Sequence, residues 1–397
     1  EAEASLARTP DLLPVLKKAG VVDAGGQGFC IVIRAMQHVM EGGAIVEGDA
    51  AAAGTKTRSV SAAGSFETDI TFTYCTEFIV ARDKGNDRDP LRLRAYLESI
   101  GDCVVVVDSI GDPKKIASAA ARMTENPRDL MMAESAARVM AATPYFRDGF
   151  SFQTGVGGPS LAANLFLEQY MDERNIKMGW AIGGICTSMV EMLKQGLVGQ
   201  IIDVQDFDLG AVESIHRTPG HYEMSASQYA NPANKGAFVN KLDFVVLAAL
   251  EVDTDFNVNV LTGSDGVLRG APGGHPDTAA GSKCCIIVTP LVRGRMATVC
   301  DHVVTVTTPG DCVDVLVTDY GVAVNPLRAD LIACLDAAGI PHVTIQSLRD
   351  RAYGIVGVPD ELQWQDKVVA VVEARDGTIL DVVRQIKPYT FDGTATP

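Results

Sequence analysis

Residues 241–250, KLDFVVLAAL, form an apolar run without alternation, the pattern of a strand covered on both faces. Shorter apolar runs stand at 103–107, 150–153, 180–182, 201–204, 284–289, 302–306 and 313–317. Between several of them the spacing turns helical. One helix is signalled by Asn126 as its N-cap and Pro127 as its first residue, with Leu130, Ala133, Ala137, Val139 and Met140 on an inner face. A second starts at Pro159 and places Leu161, Leu165 and Phe166 on one side. A third follows Gly183-Gly184; in it Ser188 and Glu191 have the spacing of a capping box, and Met189, Met192 and Leu193 face inward. Short buried strands alternating with helices predict an α/β fold with a mainly parallel sheet. Near the end, 367–373 and 379–386 flank Arg375-Asp-Gly-Thr378 and read as a hairpin around an Asp-Gly turn. There is no internal repeat.

The first hundred residues differ in style. Helices are predicted at 10–18 and 29–40, joined by a glycine-rich turn at 22–28. Residues 42–65 are rich in Gly, Ala, Ser and Thr with little periodicity and read as a linker. A strand at 68–81 and a helix at 90–100, opened by Pro90, lead to the strand at 103–107. The chain begins with helical character, EAEASLART, which reads as an internal start.

At 397 residues the chain has room for two or three domains, and 47% hydrophobic residues with 6% aromatics imply a core built mainly from aliphatics. The net charge of −16 is spread along the chain, which argues against nucleic acid or anionic lipid as main partner. Nine cysteines without metal-like spacing read as reduced thiols of a cytoplasmic protein, with Cys284-Cys285 in the core. No stretch approaches the roughly 18 apolar residues of a membrane span, and no signal-peptide pattern appears.

Candidate chemistry gathers behind the apolar run. Glu251, Asp253, Asp255, Asn257 and Asn259 follow it directly, then Gly263, Gly266, Gly270, Gly273 and Gly274. Polar groups and flexible backbone at the carboxyl end of a buried parallel strand are where open α/β sheets bind ligands. Two further glycine turns stand at predicted strand–helix junctions, Gly155-Val-Gly157-Gly158 and Gly183-Gly184. At the first, backbone N–H groups and the helix dipole suit an anionic or carbonyl oxygen, although close packing also selects glycine. His275 reads equally as a base, an orienting donor or a hydrogen-bonded loop residue. The other histidines (His38, His216, His221, His302, His342) show no paired spacing, so no metal site is expected.

The runs VVVVDSIGDPKKI, DGFSFQTGVGGPSLA, DVQDFDLGAVESI, SASQYANPANKGAF, ALEVDTDFNVNV, GGHPDTAAGSK, IIVTPLVRGR and VDVLVTDYGVAVNPLRADL carry a further reading. Over residues 104–390 they closely resemble the C-terminal part of the citrate lyase alpha subunit family, the citrate CoA-transferases. The resemblance implies an α/β CoA-transferase fold of two related halves. The implied activity exchanges acetate for citrate on the thioester of an acyl carrier protein, after which a beta subunit cleaves the citryl thioester. It implies no directly bound cofactor; the substrate arm is a phosphoribosyl-dephospho-CoA group carried by the acyl carrier (gamma) subunit. Citrate and acetate are the implied small ligands, within an oligomeric assembly.

Covalent CoA-transferases carry a glutamate in a pattern like G-I-x-T-E. Laid on Gly179-Trp-Ala-Ile-Gly183, that pattern puts Gly183 at the glutamate, so the resemblance implies transfer through a ternary complex. It assigns catalytic surroundings to Gly183, Gly184, Asn257, Asn259 and His275. Thioester-binding positions fall at Gly155, Gly157, Gly158, Ser227, Asn231, Asp253, Gly273, Gly274 and Asp277.

Residues 1–103 resemble a different family. TPDLLPVLKKAGVVDAGGQG, TYCTEFIV and LRAYLESIGDCVVVV are similar to fatty acid kinase-type proteins with a dihydroxyacetone-kinase-like ATP domain. That divides the chain into a helical fragment at 1–41, a linker at 42–66, an α/β middle-domain fragment at 67–103 and the transferase domain at 104–390. The aspartate-rich nucleotide loop of the kinases has no counterpart, so kinase activity is not expected. Three readings follow: a transferase subunit, a non-catalytic fusion that keeps one lobe of a two-lobed cleft, or, as the weakest, a fragment of a fatty acid (acyl phosphate) kinase.

Overall fold

The computed structural model describes residues 2–12, 22, 30, 34, 124–155, 158–387, 390–391 and 394–395. The chain divides into two compact units, Glu1–Ile110 and Gly111–Pro397. In the first, the helices Ala2–Leu6 and Thr9–Leu12 are described, and Arg34 pairs with Glu3 at 2.6 Å. The expected linker, the strand at 68–81 and the helix at 90–100 lie outside the described residues, as does most of the two helices expected before residue 41.

The second unit is built on one sheet of eight strands. β1 (Phe150–Thr154), β2 (Met178–Ile185), β3 (Val198–Asp206) and β4 (His221–Glu223) run outward in order on one side. The chain then returns to lay β5 (Phe244–Ala248) against the other side of β1, followed outward by β8 (Cys284–Val288), β12 (Val315–Thr318) and β13 (Gly321–Val324). Every pairing is parallel except β12–β13. The strand order switches between β1 and β5, and the region beyond their carboxyl ends is the usual ligand position of such sheets.

Both faces are covered, which is why the strands carry no polar alternation. On one face Phe150, Phe152, Phe244, Val246, Ile286 and Val315 pack with Met132, Met140, Leu167 and Met171 of the helices Pro127–Ala142 and Gly158–Arg174. On the other, Val245, Leu247, Cys285, Ile287 and Leu316 pack with Tyr229, Ala279, Leu348 and Phe256. Fully burying each large apolar side chain contributes about 1.5–3 kcal/mol. Asn126 caps its helix as expected, accepting from the Arg128 N–H with Pro127 next. No helix among the described residues is long and apolar enough to cross a membrane.

Four local expectations are corrected. β2 runs through Gly183 and Gly184 to Ile185, so the pair is not a strand–helix turn; a bulge between them lets pairing with β3 continue. The capping box at Ser188–Glu191 does not form. The cap of helix Thr187–Lys194 is Cys186, without a side-chain bond, and Asp208 from the next loop accepts the Thr187 N–H instead. The apolar run 302–306 is not a strand; β11 forms just before it at Val299–Cys300, paired with β6 (Glu251–Asp253). A small hairpin of β9 (Val292–Arg293) and β10 (Met296–Ala297) leads into β11. The long run after residue 241 breaks at 249–250, and β6 leaves the main sheet for a small one with β7 (Val258–Asn259). The closing hairpin, β14 (Trp364–Glu373) and β15 (Ile379–Ile386), turns at Gly377 with φ +90°.

Candidate functional site

The carboxyl ends of β1, β2 and β5 meet at one buried polar cluster. Gln153, the fourth residue of β1, lies on the face opposite its neighbour Phe152 and is buried. Its carboxamide occupies the space a side chain at Gly183 would need: a Cβ there would lie 2.8 Å from Gln153 Cδ, and Gly183 has φ +99°. Gln153 and Thr278 are the polar neighbours that act on the Tyr229 hydroxyl, while burial, the larger effect, holds that phenol well above its ordinary pKa. Tyr229 in turn fills the space beside Gly274, where a Cβ would meet the ring at 2.8 Å. Gln153 Oε1 is buried with no hydrogen-bond partner among the described residues, an atom able to accept from a ligand.

His275 opens the helix His275–Gly281 and ties it to β5. Its Nε2 is 3.0 Å from the Ala248 carbonyl and its Nδ1 2.7 Å from Thr308 Oγ1. The carbonyl only accepts, so Nε2 carries the proton and Thr308 donates to Nδ1. Burial lowers the imidazole pKa to about 4, leaving it neutral. With both nitrogens engaged, the ring is not placed as a base; of the three alternatives open in the sequence, this geometry fits a hydrogen-bonded, orienting residue. Asp277, in the same first turn, is raised to about 6 by burial, opposed by Arg375. Arg375, at the tip of the β14–β15 hairpin, lies 3.6 Å from Asp277 and donates to the Ala226 carbonyl at 3.1 Å, fastening the hairpin over this end of the sheet.

The acidic and amide residues after β5 serve as scaffold. Asp253 Oδ1 accepts from the backbone N–H groups of Asp255 and Asn257, and its Oδ2 accepts from Asn257 Nδ2. Asn257 Oδ1 receives the Gly310 N–H. Asn259 is fully buried: its Nδ2 donates to Glu251 Oε2 and to Thr262, and its Oδ1 accepts the N–H groups of Leu261 and Thr262. Asn259 is fully engaged in this frame, while the partly buried Asn257 keeps one Nδ2 hydrogen beyond its bond to Asp253. Their effect is indirect, since the frame they build presents Thr308 to His275.

Other sequence candidates fall around this cluster or outside it. The Gly155 N–H continues the β1–β5 pairing by donating to the Val246 carbonyl at 2.7 Å, so it is not open to a ligand. Gly157 lies outside the described residues, and Gly158 is the first residue of its helix. A Cβ at Gly184 would overlap the Phe207 ring, which explains that glycine by packing. Ser227, on the short helix Ala226–Ala230, and Asn231, its C-cap, flank Tyr229 and are bonded weakly to each other at 3.4 Å. Gly273 is open, with φ +51°.

Gln153, Tyr229, Thr278 and Arg375 were not singled out from sequence. The signal for Gln153 was present, as a lone amide in the buried strand FSFQT. Cys284 and Cys285 belong to the core: both are buried and their thiols are pushed far up by desolvation.

Residues 95–386 match the family described as citrate lyase, alpha subunit (CitF), and residues 71–115 match the FakA-like middle domain of fatty acid kinases. The citrate lyase alpha chain of Haemophilus influenzae is 56% identical over 286 residues, 72% of this chain and 57% of the relative. The Escherichia coli chain is 55% identical over the same length, 72% of this chain and 56% of its own. A crystal structure from Streptococcus mutans, described as the alpha subunit of citrate lyase in complex with citrate, superposes with a TM-score of 0.69 at 52% identity, covering 71% of this chain and 55% of that one. At the other end, protein YloV of Bacillus subtilis is 36% identical over 114 residues, 27% of this chain and 20% of the relative. The chain thus spans a little over half the length of the citrate lyase relatives it matches. A family match over residues 95–386, at more than half identity to those relatives, places the chain in the citrate lyase alpha subunit family.

Proposed function

We propose that the sheet unit is the C-terminal lobe of a citrate:acetyl-carrier transferase, exchanging acetate for citrate on the thioester of an acyl carrier subunit. The observation that carries the mechanism is Gly183, whose side-chain space is filled by Gln153 and whose φ is positive. A glutamate nucleophile has no room there. A citrate carboxylate oxygen therefore attacks the acetyl thioester carbonyl directly, forming a mixed anhydride and expelling the carrier thiolate. The thiolate then attacks the citryl carbonyl of the anhydride, restoring the thioester and releasing acetate. Catalysis in such a ternary complex rests on holding both acyl groups in register and on donors aimed at the oxyanion. Tyr229 and the backbone around Gly183 and Gly274 are the candidate donors, Gln153 Oε1 can accept from a substrate hydroxyl and so hold it in register, and His275 and Asp277 hold the frame. The carrier's phosphoribosyl-dephospho-CoA arm enters as substrate, with no separate cofactor; the beta and carrier subunits are the partners, in a cytoplasmic oligomer.

A second reading rests on length. The chain covers about 57% of its relatives, so the other lobe is not within the matched segment. Incubation with acetyl-carrier and isotopically labelled citrate, alone and with the complementary half of a relative, separates the two. Label on the carrier only after complementation supports one lobe of a transferase; no label under either condition supports a non-catalytic fusion. Calorimetry with Mg-ATP tests the kinase-like segment, where no heat of binding is expected.

A further inference from the structure

At the outer side of the sheet, β3 and β4 bring together three ligating side chains that sequence spacing did not connect. One donor atom each from Asp203, Asp206 and His221 lies within 4.8 Å of the others. The Asp203 and His221 side chains are 1% and 0% exposed. His221 Nε2 stands 3.2 Å from Asp203 Oδ2, and its Nδ1 is held by Ser214 Oγ at 2.9 Å. The other Asp203 oxygen accepts the Gln205 N–H. Asp206 Oδ1 is buried and has no hydrogen-bond partner among the described residues.

The charge balance is the unusual feature. The groups acting electrostatically on Asp206 are Asp203, Asp208 and Glu223, all acidic, and among the described ion pairs neither Asp203 nor Asp206 has a Lys or Arg partner. Buried carboxylates without a countercharge take up a proton or bind a cation. Two ligand atoms about 2.1 Å from one tetrahedral or octahedral ion stand about 3.0–3.4 Å apart, which is the Asp203–His221 separation. Without an ion, Nε2–H donates to Asp203 Oδ2 and the Ser214 hydroxyl donates to Nδ1; when a cation displaces the Nε2 proton, the same hydroxyl can turn to accept from Nδ1–H and hold the ring toward the metal.

We propose that Asp203, Asp206 and His221 form a binding site for a divalent transition-metal cation, with Ser214 orienting the histidine. One imidazole with two carboxylates suits Zn2+ or Mn2+ better than Mg2+, which prefers oxygen ligands. Asp203 pairs in register with Gly183, so the ion flanks the acyl-transfer cluster and lowers the negative potential beside it.

The test is calorimetry and thermal melting of the full chain, stripped with chelator and titrated with ZnCl2, MnCl2 or MgCl2. One equivalent of Zn2+ or Mn2+ should bind and raise the melting temperature, while Mg2+ should not compete. Asp206→Asn, a near-isosteric change at a strand end, should abolish the effect while the far-UV spectrum stays unchanged. Ser214→Ala should weaken affinity about 10- to 100-fold. His342→Gln, at the separate His342–Asp336 pair, should leave binding intact. Absence of stoichiometric binding, or binding unchanged in both Asp206→Asn and Ser214→Ala, overturns the site and leaves a shared proton as the countercharge.

Discussion

The contact between Gly183 and Gln153 allows a quantitative test. Alanine at 183 meets two penalties. A non-glycine residue at φ +99° costs about 1–2 kcal/mol. The added methyl would lie 2.8 Å from Gln153 Cδ and 3.0 Å from its Cγ, an overpacking of about 1–3 kcal/mol. Gly183→Ala should therefore destabilise the sheet unit by about 2–5 kcal/mol. Gln153→Ala removes packing but also a buried unpaired oxygen, itself worth about 1–3 kcal/mol of penalty, so its net change should stay near 1 kcal/mol. In the double variant the steric part vanishes and only the backbone strain is left, giving a favourable coupling of about 1–3 kcal/mol. Urea unfolding followed by tryptophan fluorescence measures all four corners. Additivity within about 0.5 kcal/mol would refute the claim that Gln153 occupies the side-chain space of residue 183.

Three further outcomes follow from the same geometry. His275 has a folded pKa near 4 against about 6.5 unfolded, so its contribution is present above pH 6.5 and lost as pH falls toward 4, by at most about 3 kcal/mol; in His275→Gln this component of the pH–stability profile should be missing, and an unaltered slope between pH 4 and 6.5 would contradict the assignment. Asp277, raised to about 6, acts in the opposite sense, costing stability as pH rises from about 4 to 6; Arg375→Ala should push its pKa higher still, and a carboxyl NMR titration showing a fall would count against the hairpin tie. Asn259→Ala removes one of the donors to Glu251 and strands the N–H groups of Leu261 and Thr262, and should cost about 2–4 kcal/mol in chemical unfolding, whereas a neutral substitution would mean that the loop has another support.

Much of the β/α alternation was legible because burial on both faces writes itself as unbroken apolar runs, as at 244–248 and 284–288. Helix Pro127–Ala142 announced both its start and its inner face. Where local pattern misled, a long-range contact had taken over. The bulge keeps Gly183 in a strand, Asp208 replaces the expected cap at Ser188, and the 302–306 run is a half-buried loop whose N–H groups reach Glu251 and Asp253. The family was legible from its motifs, and with it the neighbourhood of the site. Residue roles were not, because Asp253, Asn257 and Asn259 look like ligand groups until their partners are known.

The sequence by itself determined the fold class, the family and the glycine at position 183, since these follow from composition, periodicity and residue identity along the chain. Tertiary structure alone decided that Gln153 fills the space beside that glycine, that His275 is neutral and engaged on both sides, and that Asp203, Asp206 and His221 converge. Those facts depend on which strands lie side by side and in what register, and hydrogen bonds and electrostatics act over a few ångströms of space whatever the separation along the chain.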